Sequence, residues 1–583
     1  MAAATFSATT KPLCRSKPVR ANSSRRAHNV VSANANKQAL LLDYGAGNVR
    51  SLRNALKKLK YDVTDANSPA DILSAPLLVF PGVGSFGPAI ELLKKKEYAP
   101  YLLERLQEGK PFLGICLGMQ MLFEGSEESG GVEGLGFIKG TVRRFPDSLG
   151  VPVPHIGWNT VRDANGAEVV NVAPGLDVPT PRYYFVHSYR AVAEPENQSD
   201  VALTCSYGNT EFVAAVAPTD DVRAVQFHPE KSGALGLATL NAMLSPADGA
   251  ADAQEILSSM RPRAKMTSGL AKRVIACLDV RANDSGDLVV TKGDAYDVRE
   301  SGESGGVRNV GKPVELAQRY YEQGADEVTF LNITGFRECP TEDQPMLEVL
   351  EKSSENVFVP LTVGGGIGGV GKSTDGTVLS PVEVAAVYFR SGADKVSIGS
   401  DAVRAALAYY ERGERCEGDT SIEQISEVYG AQAVVVSIDP RRQYVADGQE
   451  APFATAEASR VGPNGETTCW WQCTTEGGRK LQPLGAVELA RAVEALGAGE
   501  ILLNCIDEDG QNNGYDLALV KQVKDAVSIP VIASSGAGSP GHFVEVFEAT
   551  NCSAALAAGI FHRGEVAIEE VKAAMENDGL ATR

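Results

Sequence analysis

The 583-residue chain reads as two α/β units in tandem: an open sheet over residues 38–244 and a (β/α)8 barrel over residues 269–583. Three observations predict this. From Ala39 a pattern of apolar strand, glycine turn and helix repeats to about Leu244. After Arg273, eight β-type runs end near Asp279, Asn332, Val363, Ile398, Asp439, Asn504, Ala533 and Ala558, and seven lead readily into helical patterns. That number of βα units predicts a closed parallel barrel with its active site at the C-terminal strand ends. The barrel halves also echo each other. Val274-Ile-Ala-Cys-Leu-Asp279 returns as Val434-Val-Val-Ser-Ile-Asp439, Glu327-Val-Thr-Phe-Leu331 as Glu500-Ile-Leu-Leu-Asn504, and Val359-Pro-Leu-Thr-Val-Gly-Gly-Gly366 as Ile529-Pro-Val-Ile-Ala-Ser-Ser-Gly536. A duplicated half-barrel predicts two equivalent ligand-binding ends.

Taken in order, residues 1–37 hold seven Lys or Arg, no Asp or Glu, and much Ala and Ser, without a secretory-type apolar core. This composition predicts an organellar transit peptide, of chloroplast type given Met1-Ala-Ala-Ala4 and the Ser/Thr content. The first strand is Ala39-Leu-Leu-Leu-Asp43, with a helix starting near Asn48. Residues 245–268 have linker composition, with Pro246-Ala-Asp-Gly249 and Arg261-Pro-Arg-Ala-Lys265 around a short amphipathic piece.

The net charge of −19 understates the acidity of everything after the basic leader. Such a body repels a nucleic-acid backbone, whereas small phosphorylated molecules remain possible ligands because backbone amides bind them without net positive charge. No stretch of about 18 uncharged apolar residues predicts a membrane span. Ten cysteines are scattered, and the closest pair, Cys469 and Cys473, lies in an alternating run, Thr467–Thr475, that reads as a strand. With six histidines in the chain, no metal site is expected, and the compartment is read as reducing.

Gly114-Ile-Cys-Leu-Gly118 follows the apolar Pro111-Phe-Leu113 and precedes Met119-Gln-Met-Leu-Phe123, which has helical character. Glycines two before and two after Cys116 permit a sharp strand-to-helix turn that presents the thiol at a helix N-terminus, where the dipole favours thiolate. The base must come from His155, His187 or His228. His228 sits in Gln226-Phe-His-Pro-Glu230, where Pro229 stiffens the turn and Glu230 can orient the imidazole, completing a nucleophile–base–carboxylate chain.

The order Pro81-Gly-Val-Gly84, Gly114–Gln120 and His228-Pro-Glu-Lys231 resembles the class I glutamine amidotransferases, which implies a flavodoxin-like sheet for this half. By that resemblance Cys116 attacks the glutamine amide, His228 moves the proton and Glu230 orients His228. The amides of Leu117 and of Gly82 or Val83 would hold the oxyanion. Gln120, Glu128, His187 and Ser188 match positions that hold glutamine, with Glu124 and Glu127 competing for the role of Glu128. Asp43-Tyr-Gly-Ala-Gly-Asn48, Pro154-His-Ile-Gly-Trp-Asn159 and Tyr183-Tyr-Phe-Val-His-Ser-Tyr189 are similar to the imidazole glycerol phosphate synthase branch, with Tyr183 and Tyr189 read as packing residues.

In the barrel half, Gly364–Gly369 fits G-x-G-x-x-G and Gly366–Ser373 fits the P-loop pattern, but both patterns need a helix directly after the loop. Gly376 and Pro381 stand where that helix would begin. The barrel explains the same glycines better. Gly365 and Gly366, Gly399 and Ser400, Ser535 and Gly536, and Ala558 and Gly559 form small-residue turns at strand ends, in two symmetric sets that predict a bisphosphorylated substrate. Asp279 and Asp439 are the duplicated strand-end carboxylates, one suited to act as base and one as acid.

Leu270–Val280, Ala393-Asp-Lys-Val-Ser-Ile398 and Asp507-Glu-Asp-Gly510 are similar to the cyclase of the same family. That resemblance implies addition of ammonia to a phosphoribulosyl-formimino aminoimidazole carboxamide ribotide, with Lys292 steadying the first loop, Asp509 and Gly510 near one phosphate, and no cofactor. Asn332 stands where bacterial relatives carry Asp, and Ser535 interrupts a usual Gly-Gly pair. The 369–380 insertion has no counterpart in the chemistry. Rival readings are an ATP-dependent amidotransferase using Lys372 and a barrel that only binds a glutaminase.

Arg273, Glu327, Lys395 and Glu500 begin strands one, two, four and six. They are expected to form a salt-bridged ring at the barrel floor, matching the family's ammonia gate, with Asp394 pairing Lys231 across the two halves. The halves are expected to work in cis within a monomer.

Overall fold

The computed structural model describes residues 37–45, 47–82, 84–167, 169–173, 176–245, 249–258, 268–282, 288–290, 312–333, 344–368, 371–372 and 378–583. The expected transit peptide up to residue 36, Val83, Lys292 and parts of the 245–268 and 369–380 segments lie outside the described residues.

The N-terminal half is built on β1 (Lys37–Leu41), β2 (Tyr61–Asp65), β3 (Leu78–Gly82), β4 (Phe112–Cys116), β5 (His155–Asp163), β6 (Arg182–His187), β7 (Val201–Tyr207), β8 (Thr210–Val216) and β9 (Val222–Val225). Their order across the sheet is β6-β5-β7-β8-β9-β4-β3-β1-β2. Strands β1, β3, β4 and β9 run parallel, and β8 turns antiparallel against β9. Strands β3 and β4 are buried along their whole length, as continuous apolar runs inside a parallel sheet should be. The helix expected over Met119–Phe123 is shorter than the sequence suggests. Only Leu117–Gln120 (α1) is helical, and Phe123 already opens the strand Phe123–Ser126.

The C-terminal half is a closed barrel of β10 (Arg273–Ala282), β11 (Glu327–Asn332), β12 (Leu361–Gly364), β13 (Lys395–Ile398), β14 (Val434–Ile438), β15 (Glu500–Asn504), β16 (Val531–Ser534) and β17 (Ala554–Ala557). Each strand pairs in parallel with the next, and β10 also pairs with β17, Arg273 opposite Ala554. The period of two divides the side chains cleanly. Val274, Ala276 and Leu278 join the outer core under the helices, whereas Ile275 and Cys277 pack inward with Val435, Leu502, Ile532 and Leu556. Arg273 and Asp279 are therefore in phase with Ile275 and Cys277, at opposite ends of the inner face.

Strand β14 exits into a small antiparallel sheet of Pro440–Val445, Ala456–Glu457, Thr468–Thr475 and Lys480–Gly485 before the next helix, Ala486–Ala495. The alternating cysteine segment is thus the strand its pattern predicts. The segment that fits the nucleotide-loop patterns runs into an antiparallel strand pair. Gly371–Lys372 pairs with Val378–Leu379, and helix follows only at Pro381–Arg390, where Ser380 caps it by accepting from the Glu383 amide. Lys372 therefore lacks the loop-to-helix setting a P-loop lysine requires.

From Gln38 to Arg583 the two halves form one unit. Ile156, Trp158 and Tyr184 of the first half belong to the same apolar core as the barrel helices. Trp158 donates to the Asp326 carbonyl at 3.3 Å and lies under the Arg583 guanidinium. The Asn48 amide donates to Gly392 O and to Asp394 Oδ1, and Lys231 pairs with Asp394 at 2.6 Å.

Candidate active site

Cys116 ends β4 with φ 53° and ψ −109°, a left-handed conformation that places it at the foot of α1. Glycines make the turn possible by close approach. A Cβ on Gly82 would lie 2.3 Å from the Gly118 nitrogen, and one on Gly118 would lie 2.1 Å from the Phe80 carbonyl. The end of β3 is thereby pressed against the start of α1, bringing Gly82 alongside Leu117.

His228 follows β9 and sends its Nδ1 to Glu230 Oε1 at 2.7 Å, with both side chains buried. Burial alone would lower the imidazole's pKa, but the Glu230 charge, then the charge and hydrogen bond of Cys116, hold it well above its ordinary value. The backbone is locked too, since the His228 amide donates to Tyr184 O and the Ser232 hydroxyl to His228 O. The geometry suits a thiol nucleophile whose proton can pass to an imidazole already oriented by a carboxylate.

A cavity of about 50 Å³ joins Cys116, Leu117, Gly82 and Gly84 to Gln120, Glu128, His187, Ser188 and Tyr189. Three glutamates compete in the sequence, and burial separates them. Glu124 pairs with Lys139 on the surface and Glu127 accepts from the Arg144 amide, whereas Glu128 lines the cavity and accepts from the Phe86 amide at 3.1 Å. Burial pushes the Glu128 carboxyl up to about 7. His187 has both ring nitrogens engaged within the protein, Nδ1 on Tyr189 O at 2.8 Å and Nε2 facing His155 Nδ1 at 3.2 Å. Burial lowers His187 to about 3. Tyr183 is packed as expected, but Tyr189 is half-buried on the cavity wall.

The same cavity is lined from the other side by Lys395 and Asp394 of the barrel. Lys395 belongs to a closed ring. Arg273 bonds Glu327 at 3.0 Å and also Glu500, while Lys395 bonds Glu327 at 2.7 Å and Glu500 at 2.6 Å. All four are buried, and Thr362 donates a further bond to Glu327 at 2.6 Å.

At the opposite end, Asp439 accepts from Asn504 Nδ2 at 2.7 Å and from Ser437 Oγ at 3.3 Å. Burial raises its pKa, the two donors pull it partly back, and the Asp509 charge adds to the rise. Asp279 lies on β10, with three strands between it and β14 in either direction around the barrel, and Cys277 Sγ is 3.7 Å from its Oδ1.

Comparison with known proteins settles the family. A family model described as "Glutamine amidotransferase class-I" matches residues 40–240, and one described as "Histidine biosynthesis protein" matches residues 273–567. An Arabidopsis thaliana protein named imidazole glycerol phosphate synthase hisHF, chloroplastic, is 54% identical over 552 residues, covering 95% of this chain and 90% of its own length. The hisHF synthase of Schizosaccharomyces pombe is 53% identical over 544 residues, covering 91% of this chain and 97% of its own. The chain belongs to the bifunctional imidazole glycerol phosphate synthase family.

For a member of that family, the mouth of the barrel holds two details beyond the expected residues. Gly365 and Gly536 have φ of 105° and 98°, and a Cβ on either would strike a carbonyl at 2.1 Å, that of Asn332 or Gly514. Ser535, which interrupts the glycine pair, takes φ 73°, so the turn keeps its left-handed shape despite a side chain. Gly399 caps the helix Ser400–Glu411 and Ala558 caps Gly559–His562, so both lie at strand-to-helix turns. Gly510 has φ 73° in the turn after Asp509. That turn is fixed by a residue the sequence did not single out. Arg442 donates its amide to Asp507 at 2.7 Å and its guanidinium to Glu508 at 2.9 Å and to Asp516. Asn504 was visible only as a strand end, and its role as partner of Asp439 needs the register of β14 on β15.

Proposed function

We propose that this synthase hydrolyses glutamine at Cys116 and delivers the ammonia along the barrel axis to a cyclisation between Asp279 and Asp439. Cys116 Sγ adds to the glutamine amide carbon, and the resulting oxyanion rests on the Leu117 amide and on the amide of Gly82 or Val83. Such donors are typically worth roughly 3–4 kcal/mol each. His228 passes its proton to the departing ammonia, and water then cleaves the thioester to give glutamate. Glu128 holds the α-ammonium of glutamine, and Gln120 and the His187–Ser188 backbone complete the pocket.

Ammonia crosses the ring of Arg273, Glu327, Lys395 and Glu500 and travels past Cys277, Thr329, Ser397 and Leu502. Released into water it would be mostly ammonium, which is no nucleophile, so a direct route favours the reaction. At the mouth the phosphoribulosyl-formimino aminoimidazole carboxamide ribotide lies with its two phosphates on the Gly365–Gly366 and Gly399–Ser400 turns and on the Gly536 and Ala558–Gly559 turns. Lys292, Asp509 and Gly510 steady it. Asp279 acts as base and Asp439 as acid, and cleavage with ring closure gives imidazole glycerol phosphate and AICAR. The basic leader and the chloroplastic relative support import into plastids, with the mature enzyme a monomer.

The observation that carries this reading is one cavity bounded by Cys116 and His228 at one side and by Lys395 of the barrel ring at the other. Its test is a turnover assay with and without the ribotide and ATP. Product from glutamine and ribotide without ATP supports it; an absolute requirement for ATP would overturn it.

A further inference from the structure

Gln226 is completely buried and donates its side-chain Nε2 to Cys116 Sγ at 3.4 Å. A glutamine amide can be turned either way, so the question is whether this orientation is enforced. It is, and the enforcement starts from a backbone carbonyl. Tyr189 O can only accept. The Gln120 atom 2.9 Å from it must therefore be Nε2, and the same Nε2 gives its second hydrogen to Gln226 at 3.0 Å. The Gln226 atom facing Gln120 must then be the acceptor, Oε1. That leaves Nε2 of Gln226, and its hydrogens, directed at the sulfur. Turning Gln226 over would set an amide hydrogen against an amide hydrogen at one end and oxygen against sulfur at the other.

Tyr189 O is itself fixed by a second chain of donors. His187 Nδ1–H donates to it at 2.8 Å, which leaves His187 Nε2 as acceptor for His155 Nδ1–H at 3.2 Å. His155 Nε2 then accepts from Asn159 Nδ2, whose other hydrogen goes to Ser206 O at 2.9 Å. His155 is stacked between Phe185 and Tyr207, so the chain is held by packing as well as by hydrogen bonds.

Resting on the glutaminase reading above, we propose that Gln226 is a further catalytic residue. Its amide N–H stabilises the Cys116 thiolate in the resting enzyme and again when thioester hydrolysis regenerates the thiolate, and Gln120 and Tyr189 O hold it in that orientation. Gln120 is thereby a positioning residue as well as part of the glutamine pocket. No bond to Gln226 forms or breaks; it favours the charged form of sulfur over the neutral one.

The test uses the full chain and two substitutions, Gln226→Met, which keeps the volume and removes the N–H, and Gln226→Glu, which keeps the shape and sets an oxygen against sulfur. Iodoacetamide modification of Cys116 is followed across pH by peptide mass spectrometry, which separates it from the exposed Cys416. Steady-state glutamine hydrolysis is measured beside it. In Gln226→Met the pH of half-maximal alkylation should move up by about one unit or more. In the same variant kcat for glutamine should fall about ten- to a hundredfold with KM within about threefold. Gln226→Glu should shift the alkylation profile further. An unmoved alkylation profile in either variant with a wild-type melting temperature overturns the proposal, even if kcat falls. Survival of glutamine hydrolysis after complete modification of Cys116 in the unsubstituted chain would instead remove the nucleophile reading, and this proposal with it.

Discussion

At the N-terminal ends of the barrel strands, Glu327 and Glu500 share Arg273 and Lys395 in a closed, buried ring. At the C-terminal ends of the same strands, Asp439 has the neutral partners Asn504 and Ser437. Burial acts on both ends, yet the outcomes are opposite. Burial would raise Glu500, but the charges of Arg273 and Lys395 outweigh it and hold the carboxyl below its ordinary value. At Asp439 the neutral donors recover only part of what burial takes, and the carboxyl is raised. One barrel thus carries a floor where paired cations hold the Glu500 carboxyl low and a mouth where burial holds the Asp439 carboxyl high.

The sharpest way to break this comparison is to remove chemistry at one end at a time. Cys116→Ala should lower glutamine-driven synthesis by at least roughly a thousandfold while synthesis from added ammonium persists, since the mouth is untouched. Asp439→Asn and Asp279→Asn should do the reverse, abolishing cyclisation with either nitrogen source and leaving glutamine hydrolysis measurable. Paired assays with glutamine and ammonium check both. Loss of ammonium-driven synthesis in folded Cys116→Ala would mean the two sites are not separate.

The floor should respond differently. Lys395→Met or Arg273→Met leaves two buried carboxylates short of a cation, a change that typically costs about 3–5 kcal/mol when a buried pair is broken. A lower melting temperature is therefore expected whatever the ring does in function. If the ring also meters ammonia, the ratio of imidazole product to glutamine hydrolysed falls well below one. An unchanged ratio beside the lower melting temperature would make the ring a purely structural feature of the barrel floor.

A smaller effect is expected at Lys231. Its partner Asp394 also accepts from Asn48 Nδ2 and from the Leu361 amide, both at 2.8 Å. Lys231→Met should therefore cost only about 1–3 kcal/mol, read as a modest fall in melting temperature.

These contrasts also mark what the sequence could reveal. The barrel was legible because eight apolar β-type runs recur, seven of them leading readily into helical patterns, and the ring because duplication sets Glu327 against Glu500 at equivalent strand starts. Lys231 and Asp394 were legible because each adjoins a residue with a defined place, Glu230 in one half and Lys395 in the other. Gln226 stood in a motif already noticed for its histidine, but its contact with sulfur depends on how two amides are turned, which no spacing encodes. Arg442 reaches Glu508 and Asp516 across more than sixty positions of chain, and only the antiparallel excursion after β14 brings it there. The helix after Cys116 was overread because buried Met and Leu residues suit a short helix and a strand alike, and Gly125 and Gly134 let the chain turn early into its next sheet.

The smallest effect concerns a third kind of carboxylate. Glu128 has neither the paired cations of the floor nor the neutral side-chain donors around Asp439. It is raised to about 7 by burial, with the Phe86 amide pulling it partly back. If Glu128 holds the α-ammonium of glutamine, it must be ionised to do so, and below pH 7 it has first to lose a proton. KM for glutamine should therefore rise as pH falls below about 7, by up to about tenfold per unit, and level off above it. The same shift has a consequence for folding with a defined sign. A carboxyl that holds its proton more tightly when folded costs stability as pH rises from its ordinary 4.5 through 7, so Glu128→Gln should raise the melting temperature at pH 8 and leave it nearly unchanged at pH 4. In that variant KM should be higher at pH 8 and lose its dependence on pH near 7. Glu124→Gln is the control, because Glu124 lies outside among Lys139 and the Gly140 amide. A Glu124→Gln enzyme whose KM changed like that of Glu128→Gln would move the ammonium contact away from Glu128, and a flat pH dependence of KM in the unsubstituted enzyme would do the same.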